Sequence, residues 1–556
     1  MFAICCGCRG QGRDCAYDSA PVPSENISET NGAPPRVARN TAIFAVATAL
    51  SRVAGLGREV VASNYFGTSG PFSAFTLAFQ LPNLVRSLVA DAALSAAFVP
   101  VFVELLTTGR KKEAFRLAST LALLILAALG ALTALFILGA GVIMPLFIGN
   151  GFSPSLVDLT VGLSQVLFPI LVLLGLNGLV VGILNARDHF TIPAIAPVVW
   201  NLVIIAALVW LRPAFSGQDQ IYAYAVGVLI ATAVQLAMAL PMLRVVGFHF
   251  EFAFNWRDPH VIQVLKLMIP VTVGLGVINV DLLINSSVGS LISEQAPRAI
   301  DAAFRVYMLP QGIFSVAVST VLFPALGRAV AQQDTDGLRE LQAKGVRTIV
   351  LLLLPAAALT AVLATPIVRL IYQRGEFGAS STSLVATALV WFSVSLPFAG
   401  VNLLLTRTFF AMRSAWIPTS LAMANLVVNA IFSFALYKPL GIAGPVIGTV
   451  IASIGMTAGQ LWMLRKRLGS IEMSTLVSST LQVAVASALG AGAAWVSWSA
   501  LDSALGRGLL GQLISVGTGV SLGILVVVIA VLALRVPEAV LIKNRLGSSF
   551  TARRGG

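Results

Sequence analysis

Apolar segments of about twenty residues or more follow one another from Thr41 to Val536. Each is long enough to cross a hydrocarbon layer of roughly 30 Å as a helix. Only 11% of the residues are charged and 57% are hydrophobic, which excludes a soluble globule because too little polar surface would cover its core. We therefore predict an all-α polytopic membrane protein with about fourteen transmembrane helices.

Two parts of the chain resemble each other at a spacing of about 225 residues, which indicates a duplicated half. Leu81-Pro82 corresponds to Leu309-Pro310, and Asn201-Leu202-Val203 corresponds to Asn425-Leu426-Val427. Six spans per repeat predict two six-helix lobes related by a pseudo-two-fold axis along the membrane normal, plus two extra C-terminal helices. The predicted divisions are a leader (1–40), an N-lobe with helices 1–6 (41–247), a C-lobe with helices 7–12 (248–467), helices 13–14 (468–535) and a tail (536–556).

Basic residues concentrate in every second predicted loop. Lys and Arg outnumber Asp and Glu by 36 to 23, with examples before the first span (Arg36, Arg39) and after the twelfth (Arg465, Lys466, Arg467). This asymmetry predicts that both termini are cytoplasmic. The charge is spread over many loops and not gathered on one face, which argues against a nucleic-acid partner.

The four cysteines, Cys5, Cys6, Cys8 and Cys15, all lie in the leader. Their spacing matches no ordinary four-ligand zinc pattern, and no histidine is near. The alternatives are a disordered cytoplasmic tail with reduced thiols and residues upstream of a mis-assigned start codon.

Arginine occurs inside four apolar segments, at Arg52, Arg58, Arg86 and Arg305. A cation at mid-bilayer costs roughly 2.5 to 3.5 kcal/mol, so four of them predict a shared polar cavity and an anionic cargo. Guanidinium groups pair with phosphate in a bidentate manner, which explains Arg in place of Lys.

Acidic and amide side chains accompany these arginines. Glu59 lies on nearly the same helix face as Arg52, and Asn83 shares a stripe with Arg86. Asp301 precedes Arg305 by one turn. The alternative to a ligand site is a pair of local ion pairs, Arg52 with Glu59 and Asp301 with Arg305, that only lock helices together.

A second polar set consists of Asp281, Asn425, Asn429 and Thr449, with Asn285 one turn after Asp281. One acid, amides and a hydroxyl are the oxygen ligands that a dehydrated Na⁺ or a proton-coupling site requires. The alternative is ordinary interhelical hydrogen bonding by asparagine.

The sequence holds no catalytic set. The three histidines, His189, His249 and His260, lack metal-ligand spacing, and no Walker loop is present. We therefore predict neither an enzyme nor an ATP-driven transporter.

Several motifs resemble those of the MurJ (MviN) family of bacterial lipid II flippases, in order, from about residue 41 to residue 535. They are Ser51-Arg52-Val53, Gly57-Arg58-Glu59, Ala78 to Arg86, Ala97 to Pro100, Arg305 with Leu309 to Gly312, Tyr372 to Phe377, and Pro439 to Gly444.

The resemblance implies a bacterial inner-membrane member of the multidrug/oligosaccharidyl-lipid/polysaccharide exporter superfamily. Such a protein moves the lipid-linked peptidoglycan precursor from the inner to the outer leaflet by alternating access, and its last two helices form a groove for the lipid tail. Its partners would be lipid II and membrane lipids, it would act as a monomer, and it would need no cofactor except a possible Na⁺. The family's essential cavity arginines correspond here to Arg52, Arg58 and Arg305, and Arg86 occupies another basic cavity position. We add Ser51, Glu59 and Asn83 as candidate substrate-binding residues. The family's sodium ligands resemble Asp281, Asn425, Asn429 and Thr449.

The chain also departs from the family pattern. Ser73 replaces an acid that many relatives carry in the second span, and Phe304 and Met308 replace acids that flank the arginine of the eighth span. Asn429 replaces an acid that some members use. The cavity is therefore expected to be more cationic than usual, with Glu59 and Asp301 as its remaining acids.

Three other functions fit parts of these observations. A drug/cation antiporter of the same superfamily would require a cavity dominated by carboxylates, against which the arginine excess argues. A polysaccharide-lipid flippase would use similar chemistry. A non-transporting scaffold that binds the lipid precursor would be accompanied by a soluble partner domain.

Overall fold

The computed structural model describes residues 35–89, 92–251, 254–469 and 473–539, and α-helix dominates all four ranges. The first part of the chain forms eight α-helices there: α1 (Pro35–Phe66), α2 (Gly70–Val89), α3 (Ala92–Thr107), α4 (Lys111–Ile143), α5 (Pro154–Leu167), α6 (Ile170–Asn185), α7 (Thr191–Leu211) and α8 (Tyr222–Val245).

The second part forms ten: α9 (Pro259–Ile292), α10 (Ala296–Pro310), α11 (Val316–Ala331), α12 (Thr335–Val362), α13 (Ala364–Tyr372), α14 (Ala379–Ala411), α15 (Trp416–Leu440), α16 (Ala443–Leu468), α17 (Met473–Leu505) and α18 (Leu509–Ala533). One turn of π-helix, Gln311–Ser315, joins α10 to α11.

Within the described residues, eleven helical segments are long and apolar enough to cross a membrane. The prediction of an all-α polytopic membrane protein is therefore confirmed. The count of fourteen spans stays a prediction.

Some predicted single spans consist of two helices. The predicted span 156–184 is interrupted at Phe168-Pro169 between α5 and α6. Proline lacks the backbone N–H that would continue the hydrogen-bond ladder, so α6 starts anew after Pro169. The eighth predicted span is likewise divided by the π turn that follows Pro310.

The helices pack in two groups. In the first, α7 contacts α1 and α8, and α6 contacts α4 and α8; in the second, α14 contacts α10, α12 and α16. Helix α9 packs against α2 and α3 of the first group and against α10 and α15 of the second. Helices α17 and α18 pair with each other and pack on α12. The predicted division into two lobes and a last helix pair, with its boundaries, stays a prediction.

The ends of the chain differ slightly from the predicted divisions. Helix α1 begins at Pro35, before the predicted end of the leader at residue 40. The four leader cysteines and most of the predicted tail, residues 540–556, lie outside the described residues.

Candidate functional site

A cluster of charged side chains joins α1 to α10. The carboxylate of Glu59, on α1, accepts hydrogen bonds from Arg58 at 2.8 Å and from Arg298 at 3.0 Å. Arg305 of α10 lies 3.2 Å from the same carboxylate. The structure thus brings together two of the predicted arginines, Arg58 and Arg305, and places Glu59 between them.

Asp301 is the second carboxylate of the cluster. Its Oδ2 accepts hydrogen bonds from Arg298 at 2.7 Å and from Arg305 at 2.8 Å. We call Arg58, Glu59, Arg298, Asp301 and Arg305 the charge cluster. Its three guanidinium groups and two carboxylates leave one positive charge unbalanced, and buried charge is costly unless it is paired.

The pairing differs in part from the local ion pairs that were the alternative to a ligand site, and the ligand site itself stays a prediction. Arg305 does form the helical ion pair with Asp301, but it also reaches Glu59 on another helix. Glu59 binds Arg58, Arg298 and Arg305, and the local pair of Arg52 with Glu59 is not among its contacts. The cluster therefore links the two halves of the chain and does not merely neutralise each helix.

Arg298 is absent from the predicted site because it lies just before the predicted eighth span. Its side chain is 1% exposed, and its guanidinium lies over the ring of Phe72 at 3.9 Å. It also donates to Ser63 Oγ at 3.0 Å. The one sequence signal that could have identified it is its spacing of three residues before Asp301, which suits a helical ion pair.

Arg58 keeps some capacity to bind a ligand. Its guanidinium lies 5.0 Å from the centre of the Trp200 ring, and its buried Nε has no hydrogen-bond partner among the described residues. A buried donor without an acceptor costs free energy that a ligand oxygen would recover.

Arg52 lies about two turns from Glu59 along α1, or roughly 10 Å. It is exposed, and its Nη1 lies 3.7 Å from where a Cβ on Gly312 would stand. Gly312 lies two turns after Arg305, as Arg52 lies two turns before Glu59. Because Arg305 contacts Glu59 and Gly312 lies near Arg52, α1 runs antiparallel to the helix that contains Arg305 and Gly312. Arg52 therefore lies on the same side as the charge cluster. Ser51, its neighbour, is partly buried.

Arg86 and Asn83 form a pair on α2. Nε and Nη2 of Arg86 donate to Asn83 Oδ1 at 3.1 and 2.8 Å. The structure therefore confirms that the two side chains share one face of their helix. Their place in a substrate site stays a prediction.

The second polar set surrounds Asn429, which is completely buried. Its amide nitrogen donates to Asp281 at 2.5 Å and to Asn285 at 3.2 Å, and its amide oxygen accepts from Thr449 at 3.4 Å and from Ser433 at 3.0 Å. The predicted residues Asp281, Asn429 and Thr449 are thus brought together, with Asn285 and Ser433 completing the network.

Asn425 is placed differently from this prediction. Its amide donates to the sulfur of Met456 at 3.7 Å, and it reaches the others only by lining the same cavity of about 420 Å³, together with Asp281, Gly312 and Thr449. The reason is helix geometry, since Asn425 lies one turn from Asn429 on α15 and therefore at another depth.

An apolar groove runs between α12 and α18, with a volume of about 650 Å³. Its lining includes Pro310, Phe314, Leu351, Pro355, Ile524 and Val528. Because Pro310 and Phe314 flank Gly312, the groove reaches the helix segment that carries the charge cluster.

One end of the molecule is closed by contacts between the two halves. Glu376 N donates to Asn64 O at 2.9 Å, the hydroxyls of Thr68 and Ser381 are 2.8 Å apart, and Gly149 N donates to Ser290 Oγ at 2.7 Å. We call this end the closed face. At the other end of α1, Val46, Leu50, Arg52 and Val53 are exposed.

Residues 62–513 match the family model described as lipid II flippase MurJ. The chain belongs to the MurJ family. A curated relative, the probable lipid II flippase MurJ of Rhizobium meliloti, is 32% identical over 411 residues, which cover 73% of this chain and 76% of the relative.

Solved structures of related transporters have the same fold. A lipid II flippase MurJ in an inward closed conformation matches with a TM-score of 0.72 and 22% identity, over 89% of this chain and 99% of the other. An inward-facing multidrug transporter of the MATE family, in the MOP superfamily, matches with a TM-score of 0.64 and 17% identity, over 76% and 96%. MurJ proteins are transporters, so the prediction that the chain is not an enzyme is confirmed.

Residues predicted from the sequence to depart from the family pattern lie at or beside the charge cluster. Ser73 accepts a hydrogen bond from the backbone N–H of Arg298 at 3.3 Å. Phe304 and Met308 flank Arg305 in the sequence, and the carboxylate partners of Arg305 are Asp301 and Glu59. The expectation of a more cationic cavity, with Glu59 and Asp301 as its remaining acids, stays a prediction.

Proposed function

We propose that this protein translocates lipid II, the undecaprenyl-diphosphate-linked peptidoglycan precursor, from the inner to the outer leaflet of the bacterial cytoplasmic membrane. The observation that carries the proposal is the meeting of Arg58 and Arg305, from different halves of the chain, on the carboxylate of Glu59. Membership of the MurJ family supports the same substrate.

The charge of the site suits a diphosphate. The charge cluster has one unbalanced positive charge, and Arg52 adds another on the same side. A diphosphate diester carries one acidic oxygen on each phosphorus, so its charge would balance the site. Planar guanidinium groups bind such oxygens in a bidentate manner. Arg52, Arg58 and Arg305 would hold the diphosphate, with Ser51, Asn83 and Arg86 as further polar contacts for the head group.

The lipid tail would lie in the groove between α12 and α18. That groove is apolar and ends at Pro310 and Phe314, beside the segment that bears Arg305. Head and tail would thus occupy neighbouring sites, and the tail would not need to enter the polar cavity.

Translocation would proceed by alternating access. The contacts of the closed face would separate the charge cluster from one side of the membrane, and the cluster would be reached from the other side, along the exposed end of α1. With the cytoplasmic termini that the basic loops predict, the substrate would enter from the cytoplasm. The protein would work as a monomer.

A sodium ion would couple to this cycle through Asp281, Asn425, Asn429 and Thr449. These residues offer only carboxylate, amide and hydroxyl oxygens, the hard ligands that suit Na⁺, and three of the four line one cavity. When bound, the ion would supply the positive charge that Asp281 lacks in its network. Asp281 and Asn429 would hold α9 and α15 together around it.

Complementation tests the proposal. The chain should restore growth to a bacterium depleted of its own lipid II flippase, and Arg58→Ala and Arg305→Ala should lose that ability while still inserting into the membrane. Arg187→Ala, in a loop after α6, serves as the matched control and should complement fully. Full complementation by both cluster variants would reject the assignment. A chain that exports cationic drugs but not lipid II would instead be an antiporter.

A further inference from the structure

Arg298 is the most deeply enclosed cation of the charge cluster. Its Nη1 donates to Asp301 and its Nη2 to Glu59, so one guanidinium group holds both carboxylates. With 1% of its side chain exposed, it cannot contact a substrate in this conformation. Its function must therefore act through its neighbours.

An anionic substrate must compete with the carboxylates of the charge cluster for its arginines. Arg58 and Arg305, the two cluster arginines that are more exposed, at 11% and 37%, are already bonded to Glu59 and Asp301. If both turned to a diphosphate, the two carboxylates would remain buried beside it. Uncompensated buried carboxylates are strongly unfavourable and would repel the anion.

We propose that Arg298 is a positioning residue that serves as the fixed counter-ion of Glu59 and Asp301, so that Arg58 and Arg305 can be transferred to the diphosphate of the substrate. The inference rests on the proposed function and deepens it. Arg298 keeps one positive charge between the two carboxylates throughout, and the other two arginines exchange one set of oxygens for another.

The surroundings of Arg298 suit a group that does not move. The ring of Phe72 lies under its guanidinium at 3.9 Å, and Ser63 accepts a hydrogen bond from its Nη2. Its own backbone N–H is bound by Ser73. An arginine fork can reach two carboxylates at once, whereas a lysine ammonium is a point charge on a flexible stem.

Binding of farnesyl diphosphate to the purified protein in detergent tests this role. The short tail makes the measurement depend on the head-group site and not on the groove, and farnesyl monophosphate is the comparison ligand. Arg298→Gln makes the cluster neutral. Arg298→Gln/Asp301→Asn restores one positive charge, as in the native cluster, and Asp301→Asn alone raises the charge to two.

The affinity for the diphosphate should follow charge balance. Arg298→Gln should bind the diphosphate at least about tenfold more weakly than the native protein, which corresponds to about 1.4 kcal/mol. The double variant should recover an affinity within about threefold of the native value. Asp301→Asn should bind at least as tightly as the native protein. Arg369→Gln removes a mostly buried arginine from its pair with Asp502 and should leave the affinity unchanged. The double-variant rescue excludes a merely structural role, since a packing defect would persist in it.

Two results would overturn the inference. One is an Arg298→Gln variant that binds the diphosphate with native affinity. The other is a double variant that binds the diphosphate as weakly as Arg298→Gln does. If Arg298→Gln fails to accumulate, the double variant is compared with Asp301→Asn, and equal or tighter binding by the double variant contradicts the proposal. If the native protein itself binds no diphosphate, the proposed function fails together with this inference. If the native protein binds the diphosphate and only the variants behave differently from expectation, the inference alone fails.

Discussion

Arg298 and Glu59 lie 239 residues apart in the chain and 3.0 Å apart in the structure. Both are almost fully buried, so the ion pair is a contact between the two halves inside an otherwise apolar protein. The same carboxylate also binds Arg58 and Arg305. Glu59 is consequently the point at which the interaction between the halves and the candidate anion site coincide.

Replacing Glu59 should destabilise the protein. Glu59→Gln leaves three guanidinium groups with Asp301 as their remaining carboxylate in the cluster, and breaking a buried pair costs about 3 to 5 kcal/mol. Thermal unfolding in detergent should show a clear loss. Asp336→Asn, which removes an exposed partner of Arg339, should change stability by less than about 1 kcal/mol. Equal unfolding temperatures for the two variants would contradict the importance of the cluster.

The closed face should depend on a glycine. Gly375 has a φ of +55°, and a Cβ there would lie 2.3 Å from Asn64 O. Gly375→Ala should therefore add strain of about 1 to 3 kcal/mol and weaken closure. Gly378→Ala, three residues on, meets nothing within 4 Å and should be tolerated.

Crosslinking measures that closure. A Thr68→Cys/Ser381→Cys pair, in a chain whose four leader cysteines are replaced by serine, should crosslink readily because the native hydroxyls are 2.8 Å apart. Gly375→Ala should lower the yield several-fold and Gly378→Ala should not. An unchanged yield in Gly375→Ala would show that the backbone contact does not hold the face closed.

Filling the apolar groove should separate tail binding from head-group binding. Ile524→Trp places a bulky ring in the groove lining and should abolish complementation while farnesyl diphosphate still binds. Leu525→Trp changes the next residue, which is similarly exposed but lies outside the groove lining, and should complement. Normal lipid II transport by Ile524→Trp would remove the groove from the mechanism.

Sodium should stabilise the protein through Asp281. A ligand that binds only the folded state stabilises it by about 2.7 kcal/mol at a hundredfold excess over its dissociation constant, so the unfolding temperature should be higher in NaCl than in KCl. Asp281→Asn should lose this difference because the carboxylate is the charged ligand of the set. Thr419→Ala, on the lining of the same cavity, should retain it. No difference between the salts in the native protein would reject the sodium site.

The membrane class and the candidate arginines could be predicted from the sequence alone. Apolar length determines whether a segment can span a bilayer, and the cost of a cation inside such a segment is a local property. For that reason Arg58, Arg305 and Glu59 were predictable site residues without any knowledge of packing. The oxygen set of Asp281, Asn429 and Thr449 was predictable from its carboxylate, amide and hydroxyl groups inside apolar spans.

Only the tertiary structure decided which of these groups meet. Arg298 lies just before the predicted eighth span, yet packing buries it against Phe72 and between two carboxylates. Asn425 was expected to join Asn429 but contacts Met456 instead. Such pairings depend on the rotation and depth of helices that lie far apart in the chain, and a single sequence holds no direct record of either.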